Sequence, residues 1–384
     1  MRVTLSTISK FHTFDLARQL VRLGVLERLF TGRPRWKLVG ENLPRERVST
    51  FPVFQTVFEA LGRMGLRGYP LERRLNRICH QTLDAYVARH MPASDVFHAL
   101  AYCGLKSGYA AQHLGAKWIC DSPTAHAVAH ERLVAEEHDR VGLRYRRKEA
   151  YSLQYEVESY LGADCVTVPS TFARNTFLAQ GVTAERVVVV PYGADLARFC
   201  PVPVAKGASF EVLFVGQLSV HKGIHDIAQA VRLAGLPNVT VTLVGPVQQE
   251  TPRLLGDSTG ARVQIVGSRP KAELRAFYSR ADVMVLPSVS EGFGMVIGEA
   301  LACGCPVIAS EHSGGADILR HGVDGFIVPV RSPEAIGEKL VWLYDHPEER
   351  RGMRRAALER IRGMGGWDLY GDRMLALFQE LVGA

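Results

Sequence analysis

Apolar residues in the second half of the chain fall in short unbroken runs rather than in alternation with polar ones. Phe210–Val215, Val239–Val244, Val263–Val266, Val283–Leu286, Pro306–Ala309 and Gly325–Val328 are such runs, most of them stopped by glycine or proline. Runs without an in/out rhythm predict strands covered on both faces, as in a parallel sheet. Between them, Ile224–Ala234, Lys271–Arg280 and Val296–Ala302 repeat apolar residues at helical spacing.

The first half has the same rhythm in a looser form. Val3–Ser6, Val96–Leu100, Trp118–Cys120, Cys165–Val168 and Val187–Val190 read as strands, and a helix is expected from about Phe14 to Leu23. The proline-rich stretch Pro201-Val202-Pro203-Val204-Ala205-Lys206-Gly207 reads as a linker. The expected fold class is therefore α/β. It has two Rossmann-like, doubly wound parallel-sheet domains facing each other across a cleft, over 1–203 and 204–366. Ligands of such sheets bind beyond the carboxyl ends of the strands, so the loops there are where chemistry is sought.

Composition agrees. A chain of 384 residues, 47% hydrophobic and 22% charged, suits a soluble protein of two domains. The seven cysteines are odd in number and form no C-x-x-C pair, which speaks against a disulfide framework or structural zinc and for a reducing cytoplasm. No secretory leader and no membrane-spanning run is expected. Residues 1–200 carry 27 Lys/Arg against 19 Asp/Glu, whereas residues 201–384 carry 19 against 20. The basic excess lies in the first half and suits an anionic partner or simple solvation.

The most informative stretch is Ser288-Val289-Ser290-Glu291-Gly292-Phe293-Gly294-Met295-Val296-Ile297-Gly298-Glu299-Ala300, which follows a strand and opens a helix. Gly292 and Gly294 let a ligand approach the backbone, and the amides of a helix start can hold phosphate. Glu291 and Glu299, about two turns apart, can accept hydroxyl protons. Taken singly they would be a cap and a surface charge; with the glycine loop they suit a ligand of sugar, phosphate and ribose. Lys222 lies in the loop after Phe210–Val215, where an ammonium group can neutralise a leaving diphosphate.

This stretch resembles the glutamate–seven–glutamate signature of the family 4 retaining glycosyltransferases, of the bacterial mannosyl- and glucosyltransferase kind. The similarity extends through Ala302–Ala309, Gly314-Gly315, Gly322–Phe326, Pro191–Asp195 and Val215–Leu218 with Lys222-Gly223. It implies the GT-B fold and a UDP- or GDP-sugar donor with no further cofactor and no metal. It also implies transfer with retention of anomeric configuration. Catalytic roles fall on Glu291, Lys222 and His126. Glu291 is expected at the donor sugar, Glu299 at the ribose and Lys222 at the diphosphate. Gly216, Gln217, Gly267, Gly292, Phe293, Gly294 and Met295 complete the donor site. Where this chain has Gln217 the family usually has arginine. The last helix, from about 367 to 384, is expected to pack back on the first domain, as in GT-B enzymes.

Similarity is weaker in the first half. Ser9, Lys10 and His12 follow the first strand, Asp121 and His126 follow Trp118–Cys120, and His98 lies within Val96–Leu100. They form the expected acceptor side, with packing as the plain alternative for either histidine. No Walker loop, Gly-x-Ser-x-Gly elbow, metal-ligand spacing or full dinucleotide fingerprint occurs.

Phe54–Arg77 places Phe54, Val57, Phe58, Leu61 and Met64 on one helical stripe beside Arg63, Arg67, Arg73, Arg74 and Arg77. That pattern suits either a helix packed on its own domain or one lying on an anionic membrane. The expected function is transfer of a sugar to a glycan or lipid-linked acceptor for envelope or exopolysaccharide, without nucleic acid. The enzyme would work in the cytoplasm, peripherally at the inner membrane face. A catalytically inactive GT-B-shaped scaffold is the alternative.

Overall fold

The apolar runs form strands with almost no exposed face. The computed structural model describes residues 1–63, 69–256 and 262–383. In the first half the strands are β1 (Val3–Thr7), β2 (Leu26–Thr31), β3 (Val48–Thr50), β4 (Val96–Leu100), β5 (Lys117–Asp121), β6 (Cys165–Val168) and β7 (Val187–Val189). The second half supplies β8 (Phe210–Val215), β9 (Val239–Val244), β10 (Arg262–Gly267), β11 (Val283–Leu286), β12 (Val307–Ser310) and β13 (Gly325–Val328). Every residue of β1, β4, β9, β11 and β12 is buried, and only the edge strand β10 is largely open.

Helices cover both sheets. They are α1 (His12–Arg22), α2 (Val53–Arg63), α3 (Tyr69–His90), α4 (Leu105–His113), α5 (Ala127–Arg140), α6 (Ala150–Gly162) and α7 (Thr171–Leu178) in the first half. The second half adds α8 (Ile224–Ala234), α9 (Thr251–Leu255), α10 (Lys271–Arg280), α11 (Met295–Ala302), α12 (Gly315–Ile318), α13 (Pro333–Asp345), α14 (Pro347–Gly363) and α15 (Gly366–Gly383).

The sheets run in the orders β3-β2-β1-β4-β5-β6-β7 and β10-β9-β8-β11-β12-β13, and the strand pairs are parallel. Each sheet begins at its middle and reverses direction once, between β1 and β4 and between β8 and β11. Such reversals open a crevice at the carboxyl ends of the flanking strands. The loops holding Ser9, Lys222 and Glu291, and His12 at the start of α1, follow β1, β8 and β11 and so border these crevices.

The last helix lies on the first domain. Arg22 on α1 pairs with Asp372, and a methyl on Gly371 would come 2.4 Å from Gln19. Met374 and Phe378 are buried, the latter 6.2 Å between ring centroids from His98.

Three expectations change. β2 and β3 were not anticipated, because Glu27 and Arg28 interrupt the first and the second has three residues. Phe54–Arg77 is not one helix: α2 ends at Arg63 and α3 begins at Tyr69. Met64, Gly65, Arg67 and Gly68 of that stretch lie outside the described residues. Phe58 packs on the first domain's core while Phe54 and Val57 are exposed. None of the described helices is long and apolar enough to cross a membrane, and all seven cysteines are free thiols.

Candidate functional site

Lys222 and Glu291 meet because the loops after β8 and β11 pack together. Gly223, next to Lys222, is left-handed at φ +71°, and a Cβ there would lie 2.4 Å from the Pro287 carbonyl oxygen. The Val289 amide donates to the His221 carbonyl at 2.9 Å. Held this way, the Lys222 ammonium forms an ion pair with Glu291. The Glu291 and Gly294 amides donate to His312 and Ser313 carbonyls, so part of the helix-start backbone is already engaged within the protein. Gly216 and Gly245 touch at the ends of β8 and β9, where a Cβ on Gly245 would fall 1.8 Å from the Gly216 carbonyl oxygen. Gln217 follows, exposed to solvent. Gly267, at the end of β10, takes φ +75° with open space around it.

Glu299 sits on α11 and is buried. The Tyr278 hydroxyl donates to its Oε2 at 2.9 Å. Burial pushes its carboxyl above the usual carboxylate range, against the pull of Tyr278, Lys271 and Arg198. Glu299 and Met295 line a polar cavity of about 340 Å³, together with Lys271, Arg198, Asp195 and Arg18. Glu291 is not among its walls.

The other wall of the cleft comes from the first domain. A Cβ on Gly292 would be 1.9 Å from the Pro123 carbonyl oxygen, and Ser170 donates to the Gly292 carbonyl at 2.6 Å. On α5, the His130 ring Nδ1 is 2.9 Å from the Ser290 hydroxyl. The charged groups acting on His130 are Glu131, Lys148, Glu291 and Lys222, and burial holds its imidazole below the usual value, hence neutral.

Among the anticipated acceptor-side residues, His12 and Asp121 come together. His12 Nε2 lies 2.5 Å from Asp121 and 3.2 Å from the Tyr192 hydroxyl, and its ring stacks on Tyr192 at 4.2 Å. Tyr192 in turn packs edge-on to Phe293 at 5.4 Å. Burial alone would raise the Asp121 carboxyl, but His12, His98 and Thr167 outweigh it and hold the group below the ordinary range. Through Tyr192 this buried network packs against Phe293. Lys10 pairs with Glu41 at 2.5 Å, and the Ser9 hydroxyl accepts from Arg33 at 3.1 Å.

Two anticipated histidines take packing positions. His126 is buried with its Nδ1 accepting from the Val128 amide at 3.3 Å, as the cap of α5, and its ring lies between Tyr160 and Phe177. A side chain committed to a cap and an aromatic cage does not face the cleft. His98 is fully buried in β4, where burial lowers its imidazole. It belongs to the core.

The sequence reading missed His130, Lys271, Arg198 and an interdomain ion network. Glu137 on α5 accepts from Arg140, His225 and Arg331 at 2.6–3.0 Å. Arg140 also reaches Asp226 at 2.6 Å. Glu137, His225 and Asp226 bring ligand atoms within 4.8 Å of one another. The Arg140 guanidinium already supplies their positive charge.

The Glycosyltransferase Family 4 profile matches residues 10–198, and that of Glycosyl transferases group 1 matches residues 202–360. The chain is 30% identical over 224 residues to D-inositol 3-phosphate glycosyltransferase 1 of Catenulispora acidiphila, covering 53% of each. It is 30% identical over 173 residues to the putative colanic acid biosynthesis glycosyltransferase WcaL of Escherichia coli, covering 42% of this chain and 43% of that one. The matched region thus spans about half the length of these curated relatives or less. Anabaena HepE, solved with UDP and with UDP-glucose, superposes with a TM-score of 0.71 at 18% identity, covering 99% of this chain and 100% of HepE. At that identity the likeness concerns the fold alone.

Proposed function

We propose that this chain, which belongs to the family 4 glycosyltransferases and has the GT-B fold, moves a sugar from a UDP- or GDP-sugar to a hydroxyl of a glycan or lipid-linked acceptor, with retention. The observation that carries the reading is the Lys222–Glu291 pair at the mouth of the β8 and β11 loops. Glu299 and Lys271 line the polar cavity beside α11.

In this mechanism the donor lies along α11, with its diphosphate at Lys222. The bond from the anomeric carbon to the β-phosphate oxygen breaks while the acceptor oxygen attacks on the same face. The acceptor proton passes to the departing phosphate oxygen. Lys222 turns from Glu291 toward the diphosphate and offsets its growing charge. Glu291, released, accepts from a donor-sugar hydroxyl, and Glu299 accepts from the ribose hydroxyls. Lysine and backbone amides carry the charge without a metal. Gln217 adds hydrogen bonds but no charge to the phosphate.

Support for an exopolysaccharide product comes from the naming of WcaL; support for a uridine donor comes from HepE. The enzyme works in the cytoplasm, next to the nucleotide-sugar pool, at the inner face of the membrane. Arg73 and Arg77 contribute less to membrane contact than the sequence pattern implies. Arg73 donates to the carbonyls of Arg146 and Arg147, and Arg77 lies 3.6 Å from Glu149.

The test is transfer followed by NMR with UDP- and GDP-hexoses. A product with the donor's anomeric configuration is expected; the inverted anomer contradicts the mechanism.

A further inference from the structure

The first domain holds a second cavity, separate from the one at Glu299. Its volume is about 390 Å³, within the range of about 300–1,000 Å³ typical of small-ligand pockets. It opens beside Ser9 and Phe11, in the loop between β1 and α1, and is walled by α3 and the start of α6. Its chemistry is mixed. Phe11 and Tyr102 give an aromatic corner, their ring centroids 6.4 Å apart. Arg77 stands 5.5 Å over the Tyr151 ring and 3.6 Å from Glu149, and Lys148 is ion-paired with Glu156.

His80 adds a defined acceptor. Its Nδ1 lies 2.8 Å from the Asn76 carbonyl, so Nδ1 must carry the proton and donate. Burial lowers the imidazole to about 4, so at neutral pH Nε2 is unprotonated and can accept from a hydroxyl. The mouth is basic. Exposed Arg144, Arg146 and Arg147 precede Lys148, and Arg73 bonds two carbonyls of this loop and so fastens it to α3.

Packing links the pocket to the donor loop. The Lys148 ammonium acts on the His130 imidazole, whose Nδ1 is 2.9 Å from the Ser290 hydroxyl. Phe11 directly precedes His12, whose stack on Tyr192 leads to Phe293.

We propose that this pocket binds the acceptor as an anionic saccharide, a sugar bearing phosphate or carboxylate. Its ring lies in the Phe11–Tyr102 corner and its charge between Arg77 and Lys148. A planar guanidinium presents two donors to either anion, and an ammonium completes the charge. The term acceptor rests on the transferase reading; the binding of an anionic sugar does not.

Titration calorimetry of the whole chain separates the two. The probes are glucose 1-phosphate, glucuronate, methyl glucoside and inorganic phosphate, with UDP titrated in parallel. One or both anionic sugars are expected to bind, at least tenfold more tightly than methyl glucoside or phosphate, and which one binds distinguishes phosphate from carboxylate. Arg77→Gln is expected to weaken that binding about tenfold, with Arg77→Lys intermediate and UDP affinity unchanged. Equal binding of methyl glucoside, no saccharide binding, or indifference to Arg77→Gln overturns the proposal. Where UDP does not bind, GDP is titrated in its place, and failure of both to bind counts against the transferase reading alone.

Discussion

The Nδ1 of His130 lies 2.9 Å from the hydroxyl of Ser290, joining α5 of the first domain to the residue just before Glu291. A neutral imidazole here positions the donor loop without adding charge beside Lys222. His130→Ala is expected to lower kcat/KM up to about tenfold, the worth of one neutral hydrogen bond, while donor affinity holds. Steady-state kinetics with separate donor titration checks this; an unchanged kcat/KM removes His130 from the positioning machinery.

Three histidines set an acid limit on stability. His80 and His126 are lowered to about 4 and His221 to about 3 by burial, from an ordinary 6.5. Unfolding restores the ordinary value, so between those limits the unfolded chain binds more protons. Their stabilising contribution is complete above pH 6.5 and is lost as the pH falls through 4. Tm should drop over that window. His126→Asn, which keeps a cap acceptor and cannot titrate, should flatten the drop; an identical slope contradicts the assignment.

Glu137 ties the domains together. Its carboxyl is fully buried and held down to about 2, because His225 and Arg140 outweigh the cost of its burial. Glu137→Gln leaves Arg140 and Arg331 short of a partner, a loss of about 3–5 kcal/mol for a broken buried pair. A lower Tm is expected, with a larger radius of gyration by X-ray scattering as the cleft opens. If both stay at wild-type values, the network does not hold the cleft.

The sequence revealed what local pattern encodes. Phe210–Val215, Val239–Val244 and Val283–Leu286 are strands as read, because burial on both faces requires apolar residues throughout. Glu291, Glu299 and Lys222 stood out because a glycine loop after a strand is itself a local signal. His130, Arg331 and Lys271 did not, since each is a single polar residue on an ordinary helix or loop. His130 acquires meaning only from Ser290, 160 positions away, and Arg331 from Glu137, 194 away. The same limit explains His126, whose place after β5 looked suited to the cleft, although its ring turns inward to Tyr160 and Phe177.

The central claim is that Lys222 and Glu291 form the diphosphate end of a nucleotide-sugar site. Calorimetric titration of the wild type and of Lys222→Ala with UDP and GDP tests it most directly. One nucleotide should bind the wild type, and Lys222→Ala should bind it roughly tenfold to a hundredfold more weakly, the worth of a lost charged hydrogen bond. Binding of neither nucleotide, or equal binding by a folded Lys222→Ala protein, would contradict the account.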